Sequence, residues 1–194
     1  LSPIADAVAR HVREGTALHA DDTPVPVLDS GQGRTKSGRL WVVVRDERAW
    51  GSGVPPAVFY RYSADLNSEQ AEALLAGWRG YLHADANGGF KNLYRPDPLT
   101  GDASLVEVAC WAHVRNKLYD VHHATRSPAV QELLDRIGKL FAIEEEICGR
   151  CPQDRQAARA ERAVPLLAQM KTQFEGMLKT VSRNSSLAEA LRYC

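Results

Sequence analysis

Two short segments of this chain end in the same four letters. Leu18-His19-Ala20-Asp21 and Leu82-His83-Ala84-Asp85 each carry an aspartate where an apolar stretch gives way to polar residues. In an extended chain alternate side chains share a face, so His and Asp fall on one side and Leu and Ala on the other. If the two segments are neighbouring parallel strands, Asp21 and Asp85 lie side by side at one sheet edge. Carboxylates that close cannot both stay ionised without a cation between them, and hard oxygen ligands select Mg²⁺ or Mn²⁺. A pair of such ions can clamp the attacking and leaving oxygens of a phosphodiester. The His-x-Asp pairs also suit zinc or iron in a metal-dependent hydrolase, although the six histidines form no His-x-His or His-Glu-x-x-His cluster. A lone Asp at a strand end is commonly a turn former or cap; the repeated context is what sets these two apart.

Other chemistry-bearing patterns fail. Gly31-x-Gly33 meets Lys36 where a dinucleotide fingerprint needs glycine, and no glycine precedes Lys36-Ser37 as a phosphate loop requires. Cys148-x-x-Cys151 has no second pair and sits between helices, so it reads as incidental. His122-His123 points two ways on a helix and reads as polar surface.

The elements that must position the aspartates follow from periodicity. Ile4, Val8 and Val12 mark a helix that Gly15 stops. Strands are expected at 17–20, 40–45, 57–62, 80–84 and 105–111, with a helix from Asn67, capped by its own side chain and Gln70. Asp29 to Gly38 has no apolar residue and three glycines, and reads as a flexible hairpin loop. Pro96 to Asp102 reads as a polar turn. This order implies a mixed sheet with an antiparallel meander and at least one parallel crossover. After His113 the pattern turns helical. Ser127-Pro128 starts one helix, with Val130, Leu133, Leu134, Ile137, Leu140, Phe141 and Ile147 on one face. A second helix carries Ala163, Leu167, Met170, Phe174 and Val181. The short break between them, 149–152, suits an antiparallel helical hairpin. The expected organisation is the end of a helix at 1–14, an α/β core at 15–126 and an all-helical unit at 127–194.

Composition sets the outer bounds. The chain has 194 residues, 44% hydrophobic and 25% charged, and reads as soluble and globular. Four cysteines, unevenly spaced, make no disulfide framework, so a reducing cytoplasm is expected. No apolar run is long enough for a membrane span, and Leu1 opens no signal peptide. With 24 basic and 24 acidic residues the net charge is zero, so a nucleic-acid role must come from local clusters. Arg34, Lys36 and Arg39 form one such cluster; Arg115 and Lys117 form another.

The arrangement resembles the insertion-sequence-sixty-six family of transposases. His19-Ala-Asp-Asp-Thr-Pro24 and Thr35-Lys-x-Gly-Arg-Leu-Trp-Val42 resemble its first catalytic block, and Gly80-Tyr-Leu-His-Ala-Asp85 with Gly88-Gly-Phe90 resembles the second. Cys110-Trp-Ala-His113 with Arg115, Lys117 and Leu118 looks like the next block. Ile143-Glu-x-Glu-Ile147 and Ser182-Arg-x-Ser-x-Leu-Ala-Glu-Ala190 match its helical stretch. The resemblance runs through nearly the whole chain in order. It implies a ribonuclease-H-like mixed-sheet core with a helical insertion, an Asp-Asp-Glu metal triad and a divalent cofactor, Mg²⁺ or Mn²⁺. Asp21 and Asp85 would be the first two catalytic, metal-holding acids; Asp22 stands where the family usually has Glu. Trp111 and His113 would approach DNA, and the cationic clusters would hold phosphates. The partners implied are element ends and target DNA, and a second transposase copy.

In that family the catalytic Glu lies beyond the helical insertion, in an Asp-Asn-rich stretch. Glu144, Glu145 and Glu146 do not match it, and Cys194 comes before any such stretch. The resemblance therefore implies a truncated, catalytically incomplete fragment of a strand-cleaving and strand-joining enzyme. A non-catalytic DNA- or protein-binding module is the alternative.

Overall fold

The computed structural model describes residues 2–29, 33–65, 68–85, 90–96 and 105–194. The expected Asn67 cap, the Gly88-Gly89 pair and most of the 96–102 turn lie outside these residues. The chain divides into two compact units, Leu1–Arg48 with Ser52–Cys110, and Ala49–Gly51 with Trp111–Cys194.

In the first unit, helix α1 (Ser2–Arg13) ends one turn before strand β1 (Ala17–Asp29). Next come β2 (Arg34–Arg45), β3 (Ala57–Ser63), helix α2 (Ser68–Leu75), β4 (Gly80–His83) and β5 (Leu105–Val108). The five strands form one sheet in the order β3-β2-β1-β4-β5. The β1–β2 and β2–β3 pairs are antiparallel, and β1–β4 and β4–β5 are parallel. The meander plus parallel crossovers is the mixed topology that the element order implied. Leu18, Ala20, Trp41, Val43 and Leu82 pack beneath the sheet against Val12, Ala71, Leu74 and Leu75 of the two helices. Trp78 ties the α1–β1 turn to this core by donating its indole N–H to the Gly15 carbonyl at 2.9 Å. Arg45 and Glu47 are buried beside the same turn; Arg45 donates to Glu47 at 3.0 Å and to the His11 carbonyl at 2.8 Å. A buried charge needs such a partner, and the His11 carbonyl, which also accepts the Glu14 N–H at 3.3 Å, lies in the last turn of α1.

The structure corrects three boundaries. Strand β1 does not stop at Ala20. It pairs with β2 from His19↔Val44 as far as Asp29↔Arg34, which places Asp21 and Asp22 inside the strand. The polar stretch from Arg34 to Gly38, expected as loop, is the other half of this ribbon. Ladder hydrogen bonds come from the backbone and need no apolar side chains. Pro24 and Pro26 are tolerated because both have the same strand parity and β4 pairs only with Ala17 to His19, leaving that side of β1 without a ladder. Third, the strand expected at 105–111 ends at Val108, and Trp111 opens helix α3 (Trp111–Thr125). A short apolar run does not distinguish strand from helix by periodicity; here Val114, Leu118 and Val121, at helical spacing, are what become buried.

In the second unit, α3 is followed by α4 (Pro128–Glu146), α5 (Pro152–Ala158), α6 (Val164–Thr180) and α7 (Ser186–Tyr193). The second helix thus begins at Pro152, eleven positions before the Ala163 that opened its apolar pattern. Between α5 and α6, Arg159–Ala163 form a π-helical turn in which the Val164 N–H reaches back to the Arg159 carbonyl. Pro165 follows directly; it has no N–H to continue the regular ladder, which accounts for the widened turn. Leu133, Ile137, Ile147 and Met170 are fully buried between these helices. Glu144 accepts from Arg159 at 2.6 and 2.7 Å, and Glu146 pairs with Arg162 at 2.7 Å. Ser185 caps α7, accepting the Ala188 N–H at 3.1 Å. Among the described residues no helix is long and apolar enough to cross a membrane.

Candidate functional site

The two Leu-His-Ala-Asp segments lie beside each other. Strands β1 and β4 are parallel with Leu18 opposite Leu82 and His19 opposite His83. Leu18, Leu82, Ala20 and Ala84 are all buried, at 0%, 0%, 5% and 4% exposure, so these residues anchor both segments to the core side. The alternate residues turn to the other face. There the His19 and His83 rings stack, with centroids 4.5 Å apart and planes inclined by 26°. Asp21 continues the His19 face within β1, opposite Val42, and Asp85 follows β4 by two residues.

The backbone N–H of Asp22 donates to the Asp21 carboxylate at 2.8 Å, which orients that carboxylate. The Asp22 side chain belongs to the opposite strand parity, with Trp41, and accepts from Arg39 at 2.8 Å. Burial pushes the Asp22 carboxyl above the usual range; Arg39 works against this, and the negative charges of Asp21 and Asp85 add to it. Asp22 therefore senses both other carboxylates, and Arg39 is tied to it by an ion pair. Two hard-oxygen donors, one within β1 and one just past the neighbouring β4, fit the chemistry of a divalent cation. Among the described residues no group of three or more His, Cys, Asp or Glu side chains has the geometry to hold a metal.

The stacked imidazoles have a pH consequence. Burial lowers the affinity of both rings for protons: desolvation outweighs the attraction of Asp46 at His19, and the neighbouring His19 adds repulsion at His83. A histidine depressed below its unfolded value of 6.5 stabilises the fold above that pH and loses the contribution as pH falls through the folded value. The melting temperature is expected to be lower at about pH 5.5 than at about pH 7.5. In a His19→Asn, His83→Asn double variant that difference should shrink; an undiminished difference would place the acid sensitivity elsewhere.

The cations have distinct positions. Arg34 is exposed at the tip of the β1–β2 ribbon, and Lys36 lies 3.7 Å from Asp29 there. Arg39 is engaged by Asp22, a pairing that register alone reveals and that composition could not. In the second unit Trp111 is half-buried against the helical core, and His113 is half-buried on the same helix. Arg115 is exposed, and the Lys117 ammonium sits 4.5 Å from the centre of the Tyr193 ring. All four cysteines are free, with Cys148 and Cys151 exposed.

Residues 1–194 match the family described as Transposase IS66 family. The uncharacterized protein y4jD of Sinorhizobium fredii is 34% identical over 193 residues, covering 100% of this chain and 38% of its own length. A second protein of that organism, the uncharacterized y4qI, is 34% identical over 194 residues, again with 100% of this chain and 36% of its own length. The uncharacterized y4hP of the same bacterium is 31% identical over 205 residues. The chain thus spans little more than a third of the length of these relatives.

Proposed function

Because the chain belongs to the IS66 family of transposases, we propose that it forms the central part of a DNA strand-transfer enzyme, a ribonuclease-H-like core joined to an inserted antiparallel helical hairpin. Asp21 and Asp85 are the first two acids of an Asp-Asp-Glu set. The observation that carries this reading is the parallel β1–β4 pairing, which puts two Leu-His-Ala-Asp segments in step and leaves their aspartates within electrostatic range of Asp22.

The roles follow from chemistry. Asp21, oriented by the Asp22 N–H, and Asp85 offer carboxylate oxygens to a divalent cation, Mg²⁺ or Mn²⁺. Such an ion, when bound, supplies Lewis-acid stabilisation of the charge that builds on phosphodiester oxygens during in-line displacement. Arg39 pairs with Asp22 and so engages that carboxylate apart from the two acids assigned to the cation. Exposed Arg34, Lys36 and Arg115 serve as phosphate contacts, and Trp111 and His113 lie along the DNA path. The partner is the DNA of element ends and target.

A full-length relative incubated with its element ends should cleave them in Mg²⁺ or Mn²⁺, stop on chelation by EDTA, and recover when either ion is restored. Cleavage that persists in EDTA would reject a metal-dependent reaction. Recovery with Zn²⁺ alone would favour a His/Asp zinc site at the same strands.

A further inference from the structure

Several arginines of the helical unit are held in ion pairs. Arg136, Arg150, Arg159 and Arg162 each pair with a glutamate at 2.6–3.4 Å. Arg115 and Lys139 have no ion-pair partner among the described residues, and both line an open cleft of about 490 Å³ between α3 and α4. Asp135 lies one turn before Lys139, in position to pair with it, yet it accepts instead from Gln131 at 2.8 Å. The lining also includes exposed Gly138 and Ala142 beside His122, Gln131 and Leu134, and a Cβ at Gly138 would meet nothing within 4 Å. Exposed Tyr119 stands on the α3 side. The cleft therefore offers two cations without an ion-pair partner, one carboxylate held by an amide, and a phenol, a lining with more positive than negative formal charge that suits a polyanion.

We propose that this cleft seats the sugar-phosphate backbone of duplex DNA, with Arg115 and Lys139 as its charge contacts. The assignment of the polyanion as DNA rests on the transposase reading; the cleft's charge does not. Unpaired cations on a protein surface hold phosphates by releasing condensed counterions, and each contact adds about 0.9 to the slope of log affinity against log salt. Lys139 lies on α4, outside the Cys110-Trp-Ala-His113 block beside which Arg115 stands on α3.

The test is fluorescence anisotropy of the 194-residue chain with a short labelled duplex between about 50 and 200 mM salt. Wild-type chain should bind with a steep salt dependence. The Arg115→Ala, Lys139→Ala pair should lose on the order of tenfold in affinity and flatten the salt slope by about 2. Lys139→Glu should weaken binding further than Lys139→Ala. Exposed lysines of α6 outside the cleft, changed as Lys171→Ala and Lys179→Ala, should leave affinity and slope unchanged. The proposal is overturned if the cleft variants bind the duplex as wild type does, or if wild-type chain binds no duplex at all. It is equally overturned if inorganic phosphate or an acidic helical peptide occupies these residues while the duplex does not. Circular dichroism of each variant separates lost contact from lost fold. A failure here leaves metal-dependent cleavage by a full-length relative untouched, and a failure of that cleavage leaves the salt slope untouched.

Discussion

Asp85→Asn, made at the matching position of a full-length relative, is expected to lower strand cleavage on the order of 10³-fold or more. The substitution keeps the size and shape of the side chain and removes its charge together with one oxygen ligand. Asp85 is half-buried just past β4, so the amide should be accommodated without loss of the sheet. The effect is large because divalent cations are held by formal negative charge, and a neutral amide cannot replace it. Asp22→Asn is the informative companion. Its side chain has the opposite strand parity and is held by Arg39, while its backbone N–H, which orients Asp21, survives the change. It should reduce cleavage far less than Asp85→Asn. Cleavage at the wild-type rate by the Asp85 variant, measured on labelled element ends, would sink the assignment.

Gly80→Ala should be the most damaging single methyl group in the first unit. Gly80 opens β4 with φ of +150°, a conformation that L side chains rarely adopt, and a Cβ there would lie 2.4 Å from the Thr16 carbonyl oxygen. That carbonyl accepts the Tyr81 N–H at 3.0 Å, so it cannot retreat without breaking the start of the β1–β4 pairing. Trp78 closes the other side, with its ring 2.8 Å from the same Cβ position. Strain and clash together are expected to cost roughly 4 kcal/mol, read as a lower urea midpoint at unchanged m. A midpoint within error of wild type would mean that the β1–β4 junction yields freely. The damage would reach the candidate site as well, because this junction sets the register of both Leu-His-Ala-Asp segments.

Some of this architecture was legible in the residues themselves. Local periodicity marked the helix ending before Gly15, the apolar strands around Val43 and Phe59, and the start of α4 at Ser127-Pro128. These signals are short-range: spacing of apolar residues, a cap and a breaker act within one turn or one strand. The repeated Leu-His-Ala-Asp motif and the blocks around it were likewise readable as letters, and the family follows from them.

Other features had no local signal. The extension of β1 to Asp29 depends on a partner, since Asp22 to Asp29 contains two prolines and becomes strand because β2 supplies a matching ladder. Trp111 joins a helix because Val114, Leu118 and Val121 find a buried surface among other helices. Arg39 reads as a phosphate contact in a polar run, and only cross-strand register brings its guanidinium to Asp22. The stacking of His19 on His83 joins residues of two strands separated by a meander and a helix. Sequence by itself determined which residues could carry charge and which stretches could be regular. Tertiary structure decided which charges met, because strand pairing and burial depend on partners distant in the chain.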